Sequence, residues 1–241
     1  GERRTVTILF VDAVGSTSRS EHVDPEELHG VIRAATDMMI DAVNHCGGTV
    51  TQFRGDGVMA IFGAPIAHED SARRAVAASL YMRDALDAYA TECASRGAIG
   101  FEYRIGLNTG PVVVGTIGSD LTMDYSAVGD TVNLAARMEQ SAAPRTVCVS
   151  EHTQRAVAEY FEFRDLGTRD VKGRVDPVRA FEVVRELPSR TRLDASAARG
   201  LTPYVGREDQ LGVLQATFAQ ARRGEGQVVF ITGEAGMGKS R

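Results

Sequence analysis

Asp12 closes a β-branched and apolar run, Thr5 to Val11, and Asp56 lies between glycines in Gly55-Asp56-Gly57. Taken singly, each has an ordinary explanation, because aspartate after a strand starts turns and Asp-Gly is common hairpin chemistry. If the two segments are neighbours in one sheet, both carboxylates face a single point at its edge. There they repel each other unless a cation lies between them. Two carboxylates completed by phosphate oxygens suit Mg²⁺, and a pair of such ions clamps the attacking and leaving oxygens of a phosphoryl displacement. Gly15, Ser16 and Thr17 follow Asp12, and small residues let backbone N–H groups approach a phosphate closely. Asn133 and Arg137 are four residues apart and project from one side of a helix. An arginine fork meets charge growing on a phosphoryl group, and an asparagine holds a ribose or orients a nucleophile; an isolated pair of this kind is otherwise a polar stripe. Near the C-terminus, Gly233-Glu-Ala-Gly-Met-Gly-Lys-Ser240 fits G-x-x-x-x-G-K-[ST]. In that pattern Gly233 and Gly238 shape a phosphate cradle, Lys239 reaches the β- and γ-phosphates and Ser240 binds Mg²⁺.

The elements that must carry these groups are legible in outline. Thr5 to Val11 reads as a buried strand. Asp24-Pro-Glu-Glu27 offers an N-cap, a first-turn proline and a capping acid, ahead of a helix that Gly47 and Gly48 stop. Thr49 to Phe62 reads as a hairpin turning at Gly55-Asp56-Gly57. A helix is expected from about Asp70 to Arg96, ending near Gly97. Phe101 to Leu107 and Pro111 to Ile117 read as two strands, Thr131 to Gln140 as a helix, and Thr146 to Val149 as a short strand with Ser150 capping the next helix. Phe161 to Leu166 and Arg179 to Val184 complete a first domain, 1–185. Residues 186–202 lack periodicity and read as a linker. From 203 to 241 the pattern predicts a helix, Asp209 to Arg222, a strand, Gln227 to Thr232, and the glycine loop. Interleaved helices and strands with a tight hairpin predict an α/β sandwich on a mixed or antiparallel sheet.

The 241 residues carry a net charge of -5, which argues against a basic nucleic-acid face but leaves nucleotide binding open, because metals and local dipoles dominate such sites. Cys46, Cys93 and Cys148 form no C-x-x-C pair, so neither a disulfide framework nor a zinc site is expected. No apolar run approaches the ~20 residues of a membrane span, and no signal peptide is visible, so a cytoplasmic setting is expected. His68-Glu69-Asp70 reads as a cap cluster rather than a metal motif.

Three segments carry a family resemblance. TVTILFVDAVGST resembles the metal-binding first strand and phosphate loop of class III adenylyl and guanylyl cyclases, FRGDGVMAIFGAP their second metal-binding segment, and YSAVGDTVNLAARME their signature helix. The resemblance covers roughly Arg4 to Val184. It implies a ferredoxin-like sheet with flanking helices and cyclisation of ATP, or GTP, with release of pyrophosphate. It further implies two ions of Mg²⁺ or Mn²⁺ held by Asp12 and Asp56, with Asn133 on the ribose and Arg137 on the α-phosphate. Lys172, with Arg174 as the alternative, would bind the terminal phosphates. The family pairs two chains head to tail, so a homodimer is implied, with Asn133 and Arg137 serving the partner's metal site. The sequence departs from the family at the base-reading positions, with Gln52 where a lysine is usual and Ser126 where aspartate or threonine is usual. Both residues donate and accept, which predicts relaxed choice between ATP and GTP, or low activity. A degenerate, non-catalytic nucleotide-binding or dimerisation module is the alternative. PYVGREDQL resembles the entry to an AAA/STAND-type ATPase module, expected here as the cut-off opening of that domain in a longer regulator.

Overall fold

The computed structural model describes residues 2–14, 25–97, 100–114, 130–169, 177–188 and 206–232. It separates into two compact units, Gly1–Pro188 and Ser189–Arg241.

The first unit is built on a seven-stranded sheet of order β2-β3-β1-β4-β5-β7-β6. Its elements run β1 (Glu2–Val14), α1 (Pro25–His45), β2 (Thr49–Arg54), β3 (Gly57–Phe62), α2 (Ser71–Ser95), β4 (Glu102–Val114), α3 (Asp130–Ser141), β5 (Val147–Ser150), α4 (Glu151–Val157), β6 (Phe161–Arg169) and β7 (Val178–Glu186). Every ladder is antiparallel except that between β4 and β5. The sheet is therefore mixed, as the interleaved pattern predicts.

Alternation along β1 assigns the two faces. Leu9 and Val11 pack with Val31, Ala35, Met39 and Val43 of α1 and Val76 and Leu86 of α2. Val6, Ile8 and Phe10 point the other way and pack with Met59, Ile61, Val112 and Ala135 of α3. Side chains two apart on a strand share a face, so Asp12 continues the Val6, Ile8, Phe10 series onto the α3 side.

Three sequence expectations are corrected. Phe101 to Leu107 and Pro111 to Ile117 are not two strands: one strand, Glu102–Val114, runs through Gly110 and Pro111 and pairs with β1 along its whole length. Proline is tolerated on an edge, and β5 pairs β4 only from Ile105 to Leu107, so beyond that point one side of β4 has no ladder among the described residues. The linker does not start at 186, because β7 holds Glu186 in its ladder with Phe161. Gln227 to Thr232 forms no strand. Among the described residues of the second unit nothing pairs with it, and Val228 and Phe230 stand 79% and 87% exposed. A lone strand leaves its backbone groups unpaired and gains no ladder. The second unit's helix α5 (Glu208–Arg222) forms as expected and buries none of its residues.

Candidate active site

The hairpin tip and the end of β1 meet at the sheet edge. The β1–β3 ladder carries Val11 opposite Val58, one residue short of the turn in which Gly55 takes a left-handed φ of 61°. Gly57 is required by the approach of β1: a Cβ there would lie 2.6 Å from the Val11 carbonyl oxygen and 2.9 Å from Asp12 Oδ1. The missing side chain is the space the Asp12 carboxylate uses. Asp12 and Asp56, far apart in sequence, thus come within hydrogen-bonding contact of each other.

The electrostatics follow from that contact. Burial, then the charge and hydrogen bond of Asp56, push the Asp12 carboxyl up to about 6, against the opposing pull of the Ala13 amide and the Arg104 guanidinium. Arg104 stands opposite Asp12 in the β1–β4 register, and its buried Nε has no hydrogen-bond partner among the described residues. A third acid completes the neighbourhood. Glu139 of α3 is held up to about 7 by burial first and by the charge of Asp12 second, opposed by Arg104. Asp12 and Glu139 share one guanidinium, and Asp56 adds a third carboxyl beside Asp12; such an environment is short of positive charge and suits a divalent cation. Among the described residues no group of three or more His, Cys, Asp or Glu converges as ligands, so Glu139 acts on Asp12 through space.

Sequence reasoning missed Arg104 and Glu139. The signal for Arg104 is its even spacing from Asn108 and Val112 on β4; Glu139 has a fainter one in Gly106. Glycine within a strand marks a close backbone approach, and a Cβ at Gly106 would lie 1.9 Å from the Glu139 nitrogen.

Helix α3 carries Asn133 and Arg137. Its buried residues are Thr131, Leu134, Ala135 and Met138, and Val132 and Ala136 pack at the edge of the cluster containing Ala135. That choice of face leaves Asn133 exposed and Arg137 partly exposed. Arg137 Nη1 donates to Gln140 Oε1 at 3.0 Å, a surface partner a phosphate can displace. Both side chains are therefore presented outward.

Gln52 is exposed on β2, beside a register shift between Val50 and Gln52. Gly15, Ser16, Thr17, Ser126, Lys172 and Arg174 lie outside the described residues, as do Gly233, Gly238, Lys239 and Ser240 of the glycine loop.

A family profile described as "Adenylate and Guanylate cyclase catalytic domain" matches residues 2–184. The chain belongs to that family. A second profile, "AAA ATPase domain", matches residues 203–241. Adenylate cyclase 1 of Rhizobium meliloti is 32% identical over 198 residues, covering 81% of this chain and 30% of that protein; the chain thus spans under a third of this relative. Among solved structures, the adenylyl cyclase CyaB from P. aeruginosa superposes with a TM-score of 0.72 at 32% identity, covering 78% of this chain and 96% of that one. The guanylyl cyclase Cya2 gives 0.69 at 39% identity, covering 76% and 93%. Relatives of both base preferences thus share the fold, and the cyclase domain accounts for the mixed sheet and its flanking helices.

Proposed function

We propose that this cyclase domain converts a nucleoside triphosphate, ATP or GTP, to its 3′,5′-cyclic monophosphate and pyrophosphate. The observation that carries the proposal is the contact between the Asp12 and Asp56 carboxyls at the sheet edge. Two like charges are brought together there at a cost that a shared proton relieves below about pH 6 and a divalent cation relieves above it.

Asp12 and Asp56 would hold two divalent ions, Mg²⁺ or Mn²⁺. When bound, such ions neutralise the triphosphate and sharpen the 3′-hydroxyl as a nucleophile. The rest falls to side chains. A new bond forms between the ribose 3′-oxygen and the α-phosphorus, the bond to pyrophosphate breaks, and the hydroxyl proton passes to solvent. Arg137 offers its fork to the charge developing on the α-phosphate, and Asn133 fixes the ribose for in-line attack. Because both point outward, they act on the nucleotide seated at a second copy's aspartates, in a head-to-tail homodimer. Gly15, Ser16 and Thr17 cradle phosphate oxygens, and Lys172 meets the terminal phosphates. Gln52 and Ser126 face the base; each donates and accepts, so neither adenine nor guanine is enforced. A nucleoside triphosphate substrate favours a cytoplasmic setting for the domain. No helix among the described residues is long and apolar enough to cross a membrane. The segment 203–241 would open an ATPase domain whose phosphate loop is Gly233, Gly238, Lys239 and Ser240.

The test compares the native chain with Asp56→Ala for cyclic nucleotide formation from ATP and from GTP, with Mn²⁺ or Mg²⁺. A loss of at least 100-fold is expected, about 2.7 kcal/mol of transition-state stabilisation. Equal product from both proteins would remove Asp56 from the site.

A further inference from the structure

Helix α3 is seated on β4 at two glycines, meeting Gly106 with its backbone and Gly110 with the Thr131 side chain. A Cβ at Gly106 would lie 1.9 Å from the Glu139 nitrogen, and one at Gly110 would lie 2.7 Å from Thr131 Oγ1. From Thr131 to Glu139 a helix rises about 12 Å, and from Gly106 to Gly110 a strand advances about 13 Å. The two spans match, so the helix lies antiparallel along the strand with a glycine under each end. Asn108 lies between these glycines on the same face of β4.

Asn108 is 3% exposed and its amide is used from both ends. Nδ2 donates to the Thr131 carbonyl at 3.0 Å. Oδ1 accepts from Ser150 Oγ at 2.6 Å, which fixes the amide with its nitrogen towards α3. Ser150 is held in turn at the N-terminus of α4, where its oxygen accepts from the Thr153 amide. Thr131 Oγ1 adds a bond of 2.7 Å to the Pro111 carbonyl. The first turn of α3 is thus pinned in register, and Asn133 and Arg137 are the exposed residues that register aims.

Packing against apolar residues resists separation but tolerates sliding and rotation; a directed hydrogen bond does not. A displacement of about 1 Å in a positioning element costs on the order of 100-fold in rate. We propose that Asn108, oriented by Ser150, is a positioning residue that sets the rotation and axial register of α3, and so aims Asn133 and Arg137 at the nucleotide held by the other subunit. The inference rests on the split-site homodimer proposed above, and it assigns Asn108 to the helix half-site rather than to the metal half-site.

Mixed dimers test it. Asp56→Ala chains lack the metal half-site and Arg137→Ala chains lack the helix half-site. Mixed, they form dimers with one intact site, whose α3 comes from the Asp56→Ala chain. Asn108→Ala is then added to one chain or the other. Placed in the Asp56→Ala chain it should lower kcat by 10- to 100-fold; placed in the Arg137→Ala chain it should leave activity within about threefold. Ser150→Ala, compared in the same two placements, should show the same asymmetry in weaker form and serves if Asn108→Ala does not fold. Equal losses in both placements, or failure of both variants to fold, would make Asn108 a general structural residue and overturn the inference. If the parent mixture of Asp56→Ala and Arg137→Ala gives no product although each chain folds, the split-site dimer itself fails, and the inference falls with it.

Discussion

At the scale of single residues, the site is a place where charge is crowded and partly dried. The folded chain raises the Asp12 carboxyl to about 6, above its unfolded value, so its ionised form is disfavoured by folding. The sign follows from linkage: this penalty is absent well below pH 4, where the group is protonated in both states, and grows as pH rises to about 6. Glu139, raised to about 7, extends the same trend upward. Metal-free protein should therefore lose stability between about pH 4 and pH 7 on account of these groups. Added Mn²⁺ or Mg²⁺ should restore it above pH 6, read as a rise in Tm. Asp56→Asn removes one of the crowded charges. It should stabilise the metal-free chain at pH 8 by about 1 kcal/mol, after discounting for solvent screening, and abolish the Tm response to metal. A full metal response in Asp56→Asn would show that the ions bind elsewhere. Base choice is also decided by single residues. If Gln52 and Ser126 read the base as proposed, turnover of ATP and GTP should differ by less than about 100-fold, the worth of one well-read polar contact.

At the scale of elements, glycines decide how closely the functional helix can approach its strand. Gly106→Ala places a methyl group against helix backbone, which no rotamer change relieves. It should cost roughly 2–4 kcal/mol in urea unfolding, with activity falling in step. Gly30, exposed on α1, has nothing within 4 Å of its would-be Cβ. Gly30→Ala should stabilise the fold by about 0.5–1 kcal/mol through helix propensity. Opposite signs for the same chemical change would locate the constraint in the α3–β4 contact rather than in glycine content. A neutral Gly106→Ala would show that α3 can lift off β4 freely.

At the scale of the whole molecule, the unit Gly1–Pro188 contains β1 to β7 and all three buried clusters. A chain ending at Pro188 should therefore fold alone and keep cyclase activity within about threefold, because its core accounts for the burial that stabilises it. If each site needs two chains, specific activity should rise with protein concentration and level off as dimers form, following mass action. Constant specific activity across a dilution series that dissociates the dimer would place a complete site within one chain.

The order and type of most elements in the cyclase unit were written in the sequence, because local physics settles them. Alternation in β1, the spacing of Val31, Ala35, Met39 and Val43, and Gly55-Asp56-Gly57 are all readable without coordinates, and so were Asp12 and Asp56 as candidates. The join between Phe101 and Val114 was not readable, because Gly110 and Pro111 signal a break wherever two neighbours must pair, and only the sheet shows that one side is free. Gln227 to Thr232 has strand composition, but a strand exists only by pairing. Arg104, Glu139 and Asn108 gave little local signal. Their chemistry comes from being placed opposite Asp12 or beneath Thr131, and proximity between residues distant in sequence is decided by tertiary packing alone.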